Sequence, residues 1–291
     1  EGELKSSGGW MVAAANELIK DSNIVLAVAT STSRVNEIKC IKGKEIVYYL
    51  IPQAKSKHKA DREYEPFCKL IHDEFLPNIT HIYGTEYPFG LAYIKACGSE
   101  RVVISVQGLI SIIADYYNYG LTIGDILRNL TIRDLVKGNL LMHQNALKKK
   151  SKIEIATLKL TKHVIGRTDW DRAHIWAVNP NAEYHYCNET LREEFYNGKW
   201  SYEKCTPYTI FLSQATYPVK GVHQLFKAMP LILKQYPQTQ IRIAGGYLPK
   251  GFIQKIIKNT GYNMYLSRLS EKLSIANHIT YLGALNAEEI S

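Results

Sequence analysis

The chain lacks any run of residues that would span a membrane. A transmembrane helix needs roughly 18 to 20 apolar residues, and the nearest run, Val102 to Ile113, is interrupted by Ser105, Gln107 and Gly108. The first residues, Glu1-Gly2-Glu3, also lack the positive charge with which a signal peptide begins. These absences argue against a membrane-spanning or secreted protein, and we expect the chain to work in the cytoplasm.

Cysteine is scarce, and its spacing fits neither a disulfide framework nor a zinc site. There are 5 cysteines, an odd number, and no Cys-x-x-Cys pair occurs. A structural zinc site of the usual kind would need such closely spaced pairs. The sequence therefore predicts free thiols in a reducing compartment. The residues are Cys40, Cys68, Cys97, Cys187 and Cys205.

An initiator methionine is also missing, and the chain opens in what reads as a loop. At the other end, the last α/β segment runs only from Tyr208 to Ser291. An α/β domain normally needs more than about 100 residues to close its sheet and cover both faces. We therefore expect the sequence to be cut short at both ends, with a first strand preceding it.

The charge balance is moderately basic. The 291 residues carry a formal net charge of +9, with 46% hydrophobic and 22% charged residues. Such a balance fits an anionic ligand or a negative membrane surface, although many enzymes reach it without either. The excess is not histone-like, and no nucleic-acid partner is predicted.

Strand-like and helix-like segments alternate along the chain. Ile24–Ala29 and Ile46–Ile51 are continuous apolar runs, typical of strands buried on both faces, and Arg62–Phe75 is an amphipathic helix between strands. This alternation predicts right-handed βαβ units and parallel sheets. Further strands are predicted at 79–83, 101–106, 162–165, 208–213, 239–244 and 278–282, and further helices at 9–20, 89–96 and 222–233.

We predict an α/β fold of two Rossmann-like domains. The stretch from about 184 to 207 contains Asn197-Gly198 and Pro207, which are typical of a connection. The predicted boundaries are an N-terminal domain over residues 1–187, a connection over 188–207 and an incomplete C-terminal domain over 208–291.

A strand–loop–helix–strand unit surrounds Tyr217-Pro218-Val219-Lys220-Gly221. The strand Tyr208–Ser213 precedes this loop, the helical pattern from Val222 to Leu233 follows it, and a second strand ends in Gly245-Gly246. In such a unit the strand ends and the helix N-terminus point at the same crevice. Free N–H groups of the first helical turn favour an anion there, and Lys220 adds a full charge. The pattern therefore predicts a phosphate site.

The region from about 109 to 160 is mostly helical and ends in a basic run, Lys148-Lys149-Lys150 and Lys152. A basic amphipathic helix can lie on an anionic membrane. The same run can equally be the solvated end of an ordinary packed helix. The sequence leaves both interpretations open.

Taken in order, several short motifs resemble those of a known family. They are Gly8-Gly9 at an early helix, Ile165-Gly166-Arg167-Thr168, Lys220-Gly221, Ile241 to Gly246 and Ile279 to Gly283. At this domain-scale spacing they resemble the retaining glycosyltransferases of family 4, which have the two-Rossmann-domain glycosyltransferase B fold. The resemblance covers nearly the whole chain, and it is greatest to bacterial members that build surface polysaccharides.

The resemblance implies a reaction. A sugar would pass, with retention, from a nucleotide diphosphate sugar of UDP or GDP type to a hydroxyl of a glycan or polyprenyl-linked acceptor. The donor would bind mainly to the C-terminal domain and the acceptor to the N-terminal domain. No metal or cofactor would be needed, since protein cations and helix dipoles neutralise the leaving diphosphate. The enzyme would be cytoplasmic, or peripheral on the inner face of the membrane.

The resemblance also assigns residues. Lys220, followed by Gly221, matches the diphosphate-binding lysine. Gly8 and Gly9 match a Gly-Gly loop that approaches the phosphates, because a residue without Cβ lets the backbone come close to a ligand. By the same resemblance, the loop beside the nucleotide is formed by Gly245 and Gly246.

Three departures from the family pattern stand out. Gln214 occupies a donor-site position where the family usually has an arginine, and a neutral amide cannot supply half of a cationic clamp. Gln107 stands at a strand end where many members have a histidine, and it can hydrogen-bond a sugar hydroxyl but cannot change charge. The family's pair of glutamates would fall beyond Ser291.

The remaining site candidates follow predicted strands. Gln107, Arg167 and Asp171 are the candidate catalytic residues, because α/β enzymes place site residues after strands. For Arg167 and Asp171 a salt bridge that locks the loop is an equal alternative. Glu86 either binds an acceptor hydroxyl or caps the next helix.

Other polar residues carry no functional pattern. We expect His81, His163 and His223 to be ordinary surface or core residues, and Asn188-Glu189 to serve the interdomain hinge.

Two other functions fit the same fold. One is a catalytically degenerate sugar-nucleotide-binding or partner subunit, which Gln214 and Gln107 favour. The other is a nucleotide-sugar epimerase, for which more acidic and histidine residues would be expected. A phosphorylase would need a pyridoxal lysine that this sequence does not show.

Overall fold

The computed structural model describes residues 9–55, 60–245 and 259–290. Gly8 and Gly246, two of the predicted phosphate-loop residues, lie outside these ranges. The chain forms two compact units, the first from residues 1–111 and 148–192 and the second from residues 112–147 and 193–291. The second unit therefore combines a segment from the middle of the chain with the C-terminal third.

The helices and strands of the first part of the chain follow the predicted alternation. In chain order they are α1 (Gly9–Leu18), β1 (Leu26–Thr32), β2 (Lys39–Lys42), β3 (Ile46–Pro52), α2 (Ala60–Phe75), β4 (Thr80–Tyr83), α3 (Pro88–Cys97), β5 (Val102–Ser105), α4 (Ile110–Tyr116), α5 (Ile123–Arg128), α6 (Ile132–Lys137) and α7 (Leu140–Leu160). The remaining elements are β6 (His163–Gly166), α8 (Asp169–Val178), β7 (Glu183–Tyr186), α9 (Glu193–Asn197), β8 (Thr209–Leu212), α10 (Val222–Gln235), β9 (Gln240–Ala244), α11 (Gly261–Lys272), β10 (Ile279–Gly283) and α12 (Ala287–Ile290).

The main sheet of the first unit is parallel. Its four strands lie in the order β4-β5-β6-β7, and each adjacent pair is parallel. Ile104 and Val164, on the two central strands, are fully buried. Parallel strands place their carboxyl ends at one edge of the sheet, which is where a site is expected in this fold.

A second sheet of the first unit contains a hairpin that the sequence pattern does not reveal. Strand β3 pairs in parallel with β1 but in antiparallel orientation with β2, and Gly43 N donates to Ile46 O at 2.9 Å in the turn. All four residues of β2 are exposed, so the strand has no apolar side to signal it. Tyr64 of α2 and Ala92 of α3 pack with Ile51 of β3.

The predicted burial of the first strand on both faces is wrong. In β1 all residues are exposed or half-buried, and Val25 just before it is 77% exposed. The strand lies at the edge of a three-stranded sheet, where an apolar sequence does not guarantee cover. Strand β7 was not predicted, and the connection-like stretch from about residue 184 begins within it.

The second unit has a parallel sheet in the order β10-β9-β8. Ile241 and Ile243 of β9 and Phe226 and Met229 of α10 are 0% exposed and form its core with Tyr262 and Leu266 of α11. Alternate residues of the strand and one face of each helix supply these side chains, as the two periodicities require. This core fixes the first turn of α10 beside the end of β8.

The helices between residues 112 and 147 contact the C-terminal elements through specific hydrogen bonds. The buried Asp134 carboxylate accepts from Gly261 N at 2.8 Å, and Arg268 Nη1 donates to Arg128 O at 2.9 Å. The sequence interpretation placed this segment within the N-terminal domain, whereas its contacts are with α10 and α11. Hydrogen bonds to the backbone at helix ends depend on how the helices pack against one another. They leave no periodic pattern in the sequence.

Candidate functional site

A cavity lies at the carboxyl ends of the four parallel strands of the first unit. It has a volume of about 320 Å³. The residues that follow β5, β6 and β7 line one side of it, including Gln107, Arg167 and Glu189. Helix α1 lines the other side through residues such as Trp10 and Ala14. This position at the strand ends is the one that the fold favours for ligand binding.

One wall of the cavity is aromatic. The rings of Trp10 and Tyr83 meet edge to face with centroids 5.1 Å apart, and the His81 ring lies 4.0 Å from Tyr83. Burial raises the pKa of the Tyr83 hydroxyl, with Cys187 and Glu189 adding to the effect. Tyr83 therefore stays protonated and keeps a hydrogen-bond donor at physiological pH. Aromatic faces with a polar tip suit a ligand that is part apolar and part hydroxylated.

His81 is a cavity residue rather than an ordinary surface histidine. Its Nε2 atom lies 2.6 Å from Ser105 Oγ on the neighbouring strand. Although the residue is exposed toward the cavity, the surrounding protein removes water from the ring and lowers the pKa of His81 to about 4. The ring is therefore neutral at pH 7 and can offer one donor and one acceptor.

The titration of His81 is a direct prediction. Because its pKa is about 4 in the folded protein and about 6.5 in an unfolded chain, the unfolded state gains a proton first as the pH falls. His81 therefore lowers the stability progressively between about pH 6.5 and pH 4. In an NMR titration, the ring signal that is lost in His81→Gln should have its midpoint near pH 4. A midpoint near pH 6.5 would contradict the enclosed environment.

An ion pair joins two sides of the cavity. Arg167 Nη1 lies 2.9 Å from Glu189 Oε2, with both side chains about one-third exposed or less, and Arg167 Nη2 donates to Gln107 O at 3.1 Å. Arg167 thus holds the segment after β7 against the end of β5. The predicted salt bridge at Arg167 exists, but its partner is Glu189 rather than Asp171.

Two buried polar atoms of the cavity have no protein partner among the described residues. They are Gln107 Nε2, a donor, and Glu189 Oε1, an acceptor. Unpaired buried polar groups cost free energy and are rare in folded proteins. A hydroxyl group can accept from one and donate to the other. The cavity is therefore chemically suited to a hydroxylated ligand.

Asp171 stabilises the start of a helix. Its carboxylate accepts from the backbone N–H groups of Arg167 and Thr168, each at 3.1 Å, and Thr168 Oγ1 accepts from Asp171 N at 3.0 Å. This is a capping box at the N-terminus of α8. The catalytic role suggested for Asp171 stays a prediction, and the geometry supports a positioning role for the Arg167 loop.

The other two candidates of this unit lie apart from the cavity lining that the described residues form. The Glu86 carboxylate folds against the backbone of Gly84, and the residue that caps α3 is Tyr87, without a side-chain hydrogen bond. Gly9 begins α1, and an added Cβ there would collide with the Arg192 side chain. Close approach at Gly9 is thus to protein, and its predicted role toward phosphate stays a prediction.

In the second unit, Lys220 and Gly221 form the junction between a short helical turn and α10. Residues Pro218–Lys220 are a 3₁₀ turn, and Gly221 has φ 77°, in the left-handed region that glycine adopts readily. Helix α10 begins at Val222 without a side-chain cap, and Gln224 N donates to the Gly221 carbonyl at 2.9 Å. No carboxylate pairs with the exposed Lys220 in the described part of the chain; its Nζ atom lies 5.6 Å from the Tyr217 ring.

The carboxyl ends of the strands of this unit meet beside that loop. Gly245 N donates to Gly283 O at 2.7 Å, and the Cβ position of Gly245 would lie 4.0 Å from Gln214 Cα. The structure therefore places Gln214 and Gly245 next to each other. The Gln214 side chain is exposed and accepts from the Tyr217 hydroxyl at 3.5 Å.

Sequence reasoning missed His81, Ser105, Tyr83 and Glu189 as cavity residues. All four follow or lie near the ends of strands β4, β5 and β7, so their position was the available signal. Glu189 was interpreted as a hinge residue because β7 itself was not recognised. His223 is buried in the second unit, where Nε2 bonds Tyr119 O at 3.0 Å and Nδ1 bonds the Tyr262 hydroxyl at 2.9 Å.

Comparison with known proteins bears on the C-terminal part of the chain. Residues 198–291 match the family model described as glycosyl transferases group 1. The matched range contains Gln214, Lys220, Gly221 and Gly245. No curated protein sequence matches the chain.

Solved structures resemble nearly the whole chain. One is the sucrose-phosphate synthase from Thermosynechococcus elongatus, with 13% identity and a TM-score of 0.57, over 96% of this chain and 64% of that chain. Another is the alpha,alpha-trehalose 6-phosphate synthase from Burkholderia multivorans, with 10% identity and a TM-score of 0.52, over 100% of this chain and 72% of that one. A structure described as trehalose-6-phosphate from E. coli bound with UDP-2-fluoro glucose has 11% identity, a TM-score of 0.50, and coverage of 98% and 72%.

At these identities the similarity shows the fold alone, and the chain spans 64% of the sucrose-phosphate synthase. The predicted fold class is confirmed: the chain is α/β with parallel sheets and has the two-Rossmann-domain fold of the glycosyltransferase B type. Its residues 198–291 match the group 1 glycosyl transferases.

Proposed function

We propose that the protein transfers a sugar from a nucleotide diphosphate sugar to a hydroxyl of a glycan or lipid-linked glycan, with retention of anomeric configuration. The observation that carries the proposal is the group 1 glycosyl transferase match, because it includes the Lys220 loop at the carboxyl edge of the second sheet. The fold agrees with the proposal but does not establish it, since one fold serves many functions.

The donor diphosphate would bind at the Lys220 loop. The start of α10 has no side-chain cap, and the Lys220 ammonium has no carboxylate partner among the described residues. A helix N-terminus and a nearby cation both favour an anion. As the glycosidic bond to the donor breaks, negative charge grows on the departing phosphate oxygen. Fixed donors around that oxygen stabilise the transition state without a metal ion.

The acceptor would bind in the cavity of the first unit. Its aromatic wall offers apolar surface to a sugar ring, and Gln107 Nε2 and Glu189 Oε1 offer a donor and an acceptor to a hydroxyl. The Arg167–Glu189 ion pair holds that acceptor atom in place. In this proposal Gln107 contacts the substrate, whereas Arg167 and Asp171 position the site.

Thermal unfolding with a panel of nucleotides tests the donor proposal. UDP, GDP, ADP and their sugars would be added without metal to the full-length protein. Ligand at about 100 times its Kd adds about 2.7 kcal/mol of stability, which corresponds to a rise in Tm of roughly 5–10 °C. Stabilisation by one base family would identify the donor. No shift from any nucleotide would favour a catalytically degenerate partner subunit instead, in line with the neutral Gln214.

We further propose that the protein docks on an anionic membrane, where a polyprenyl-linked acceptor would lie. None of the described helices combines the length and hydrophobicity needed to cross a membrane. Helices α5 and α6, however, carry five strongly exposed apolar side chains, between 53% and 78% exposed, here called the apolar surface. They are Ile123, Leu127, Ile132, Leu135 and Val136.

The placement of these helices explains the exposure. The residues of the apolar surface are spaced i, i+4 in α5 and i, i+3, i+4 in α6, so each helix has one apolar face. The opposite side is held to α11 by Asp134 and by the Arg268 contact. Exposed Arg128 and Lys137 lie on the same two helices. Lys150 lies over the Tyr87 ring at 5.1 Å, so part of the basic run of α7 already contacts protein.

Flotation with lipid vesicles tests the docking. Replacing Leu135 and Val136 by serine should weaken binding to vesicles containing phosphatidylglycerol about tenfold, since removing two apolar side chains from the interface loses at least about 1.4 kcal/mol. The matched control is Leu231→Ser, because Leu231 of α10 is 69% exposed. Equal binding of both variants, or a dimer that the double variant abolishes, would contradict membrane docking.

A further inference from the structure

Three potential metal ligands converge at the amino-terminal end of strands β6 and β7. His163 and Glu183 are register partners, and His185 follows two residues later on the same side of the strand. His163 Nδ1 lies 3.2 Å from His185 Nε2 and 3.5 Å from Glu183 Oε2. All three ligand atoms lie within 4.8 Å of one another. In the described residues this is the only such group.

These distances match the geometry of a bound ion. A tetrahedral zinc ion with bonds of about 2.0–2.1 Å places its ligand atoms about 3.3 Å apart. The separations of His163 Nδ1 from His185 Nε2, 3.2 Å, and from Glu183 Oε2, 3.5 Å, lie on either side of that value. Two imidazole nitrogens that face each other at this distance must share a proton or a cation, because both cannot present lone pairs without a partner.

We infer that His163, Glu183 and His185 form a binding site for a divalent transition metal such as Zn²⁺. Two imidazoles and one carboxylate suit Zn²⁺ and its neighbours in the transition series, whereas Mg²⁺ and Ca²⁺ prefer oxygen ligands alone. Three protein ligands leave a fourth position for water.

The site lies apart from the cavity. His163 and Glu183 are the first residues of their strands, while the cavity lies beyond the last residues, Gly166 and Tyr186. A metal here would join the edge strand β7 to β6 and take no part in sugar transfer. Strand β7 also supports the segment that carries Glu189, so the metal would stiffen one side of the cavity from below.

The charges around the site are compatible with a cation. Lys162 interacts with Glu183, but its ammonium pairs with Glu100 at 3.0 Å.

Titration of the full-length protein with Co²⁺ and Zn²⁺ tests the inference. A background with Cys40→Ser and Cys187→Ser removes the exposed thiols that could bind the same ions. The expected result is one equivalent of Co²⁺ with the visible absorption of a tetrahedral site and without a thiolate charge-transfer band. Mg²⁺ should not compete.

Variants of the proposed ligands show whether Zn²⁺ binds at this site or elsewhere on the protein. His185→Ala and Glu183→Gln should each lower the affinity for Zn²⁺ at least about tenfold, whereas His174→Ala, at a half-buried histidine of α8, should leave it unchanged. Glu183→Gln keeps the shape of the side chain, so it controls for loss of folding. Absence of a stoichiometric site, or equal affinity in all three variants, would overturn the inference.

Discussion

Replacing Lys220 by alanine is expected to reduce sugar transfer about 100- to 1,000-fold. Lys220 has no carboxylate partner in the described part of the chain, and it precedes a helix whose first N–H groups are uncapped. Removing one preorganised donor from a developing anion typically costs about 2.7–4 kcal/mol of transition-state stabilisation. Binding of the nucleoside diphosphate should weaken as well, by about tenfold or more, because one charge-assisted hydrogen bond is lost.

The control for this prediction lies on the same helix. Lys234 is an exposed lysine in the last turn of α10, and Lys234→Ala removes an equal charge at the far end. Its turnover and nucleotide affinity should stay within about twofold of the unmodified protein. If both variants behaved alike, the effect would reflect overall charge and the diphosphate would bind elsewhere.

Replacing Glu154 by alanine is expected to destabilise the first unit by roughly 3–5 kcal/mol. The Glu154 carboxylate is 0% exposed. It accepts from Thr85 Oγ1 at 2.6 Å and from the backbone N–H groups of Ile110 and Ser111 at 2.9 Å and 2.8 Å. These two N–H groups begin α4, so the negative charge also complements the helix dipole. Alanine leaves three buried donors without a partner, each at a cost of about 1–3 kcal/mol.

Thermal or urea unfolding checks this value. A change of 3–5 kcal/mol corresponds to a fall in Tm of roughly 6–20 °C in a unit of this size. Lys152→Ala, an exposed position on the same helix, should change the stability by less than about 0.5 kcal/mol. A similar change in both variants would mean that Glu154 does not anchor α4.

The sequence predicted the repetitive parts of the fold well because burial imposes a period on them. Strand β3, helix α2 and helix α10 carry apolar residues at strand or helix spacing, and each forms within a few residues of its predicted position. Strands β2 and β7 were missed because most of their residues are exposed. An exposed strand is held by backbone hydrogen bonds, which leave little trace in the pattern of side chains.

Cavity residues that directly follow a strand could be predicted from the sequence. Contacts between residues that are distant in the sequence could not. Gln107 and Arg167 were found from their position after β5 and β6. The pairing of Arg167 with Glu189, and the enclosure of His81 with Ser105, join residues more than 20 positions apart along the chain. A single sequence contains no signal for such contacts. The same reason explains why the sequence did not reveal the contacts of the 112–147 helices with α10 and α11.

Asp171 is a third case, in which the structure shows a capping role and the predicted catalytic role stays a prediction. Asp171 was selected because it follows a strand, and it does lie at the carboxyl edge of the sheet. Its oxygen is occupied by two backbone N–H groups at 3.1 Å. A carboxylate at a helix start after a strand often serves as such a cap. Position alone therefore does not separate a capping carboxylate from a catalytic one.

The most direct test of the central claim is an NMR measurement of sugar transfer by the full-length protein without added metal. The nucleotide sugar chosen by the stabilisation panel would be mixed with a hydroxylated acceptor, and the anomeric proton followed over time. The account predicts release of the nucleoside diphosphate together with a new glycosidic signal of the same anomeric configuration as the donor, and loss of both in Lys220→Ala. A protein that binds the nucleotide but leaves the donor intact with every acceptor, or one that inverts the anomeric configuration, would contradict it.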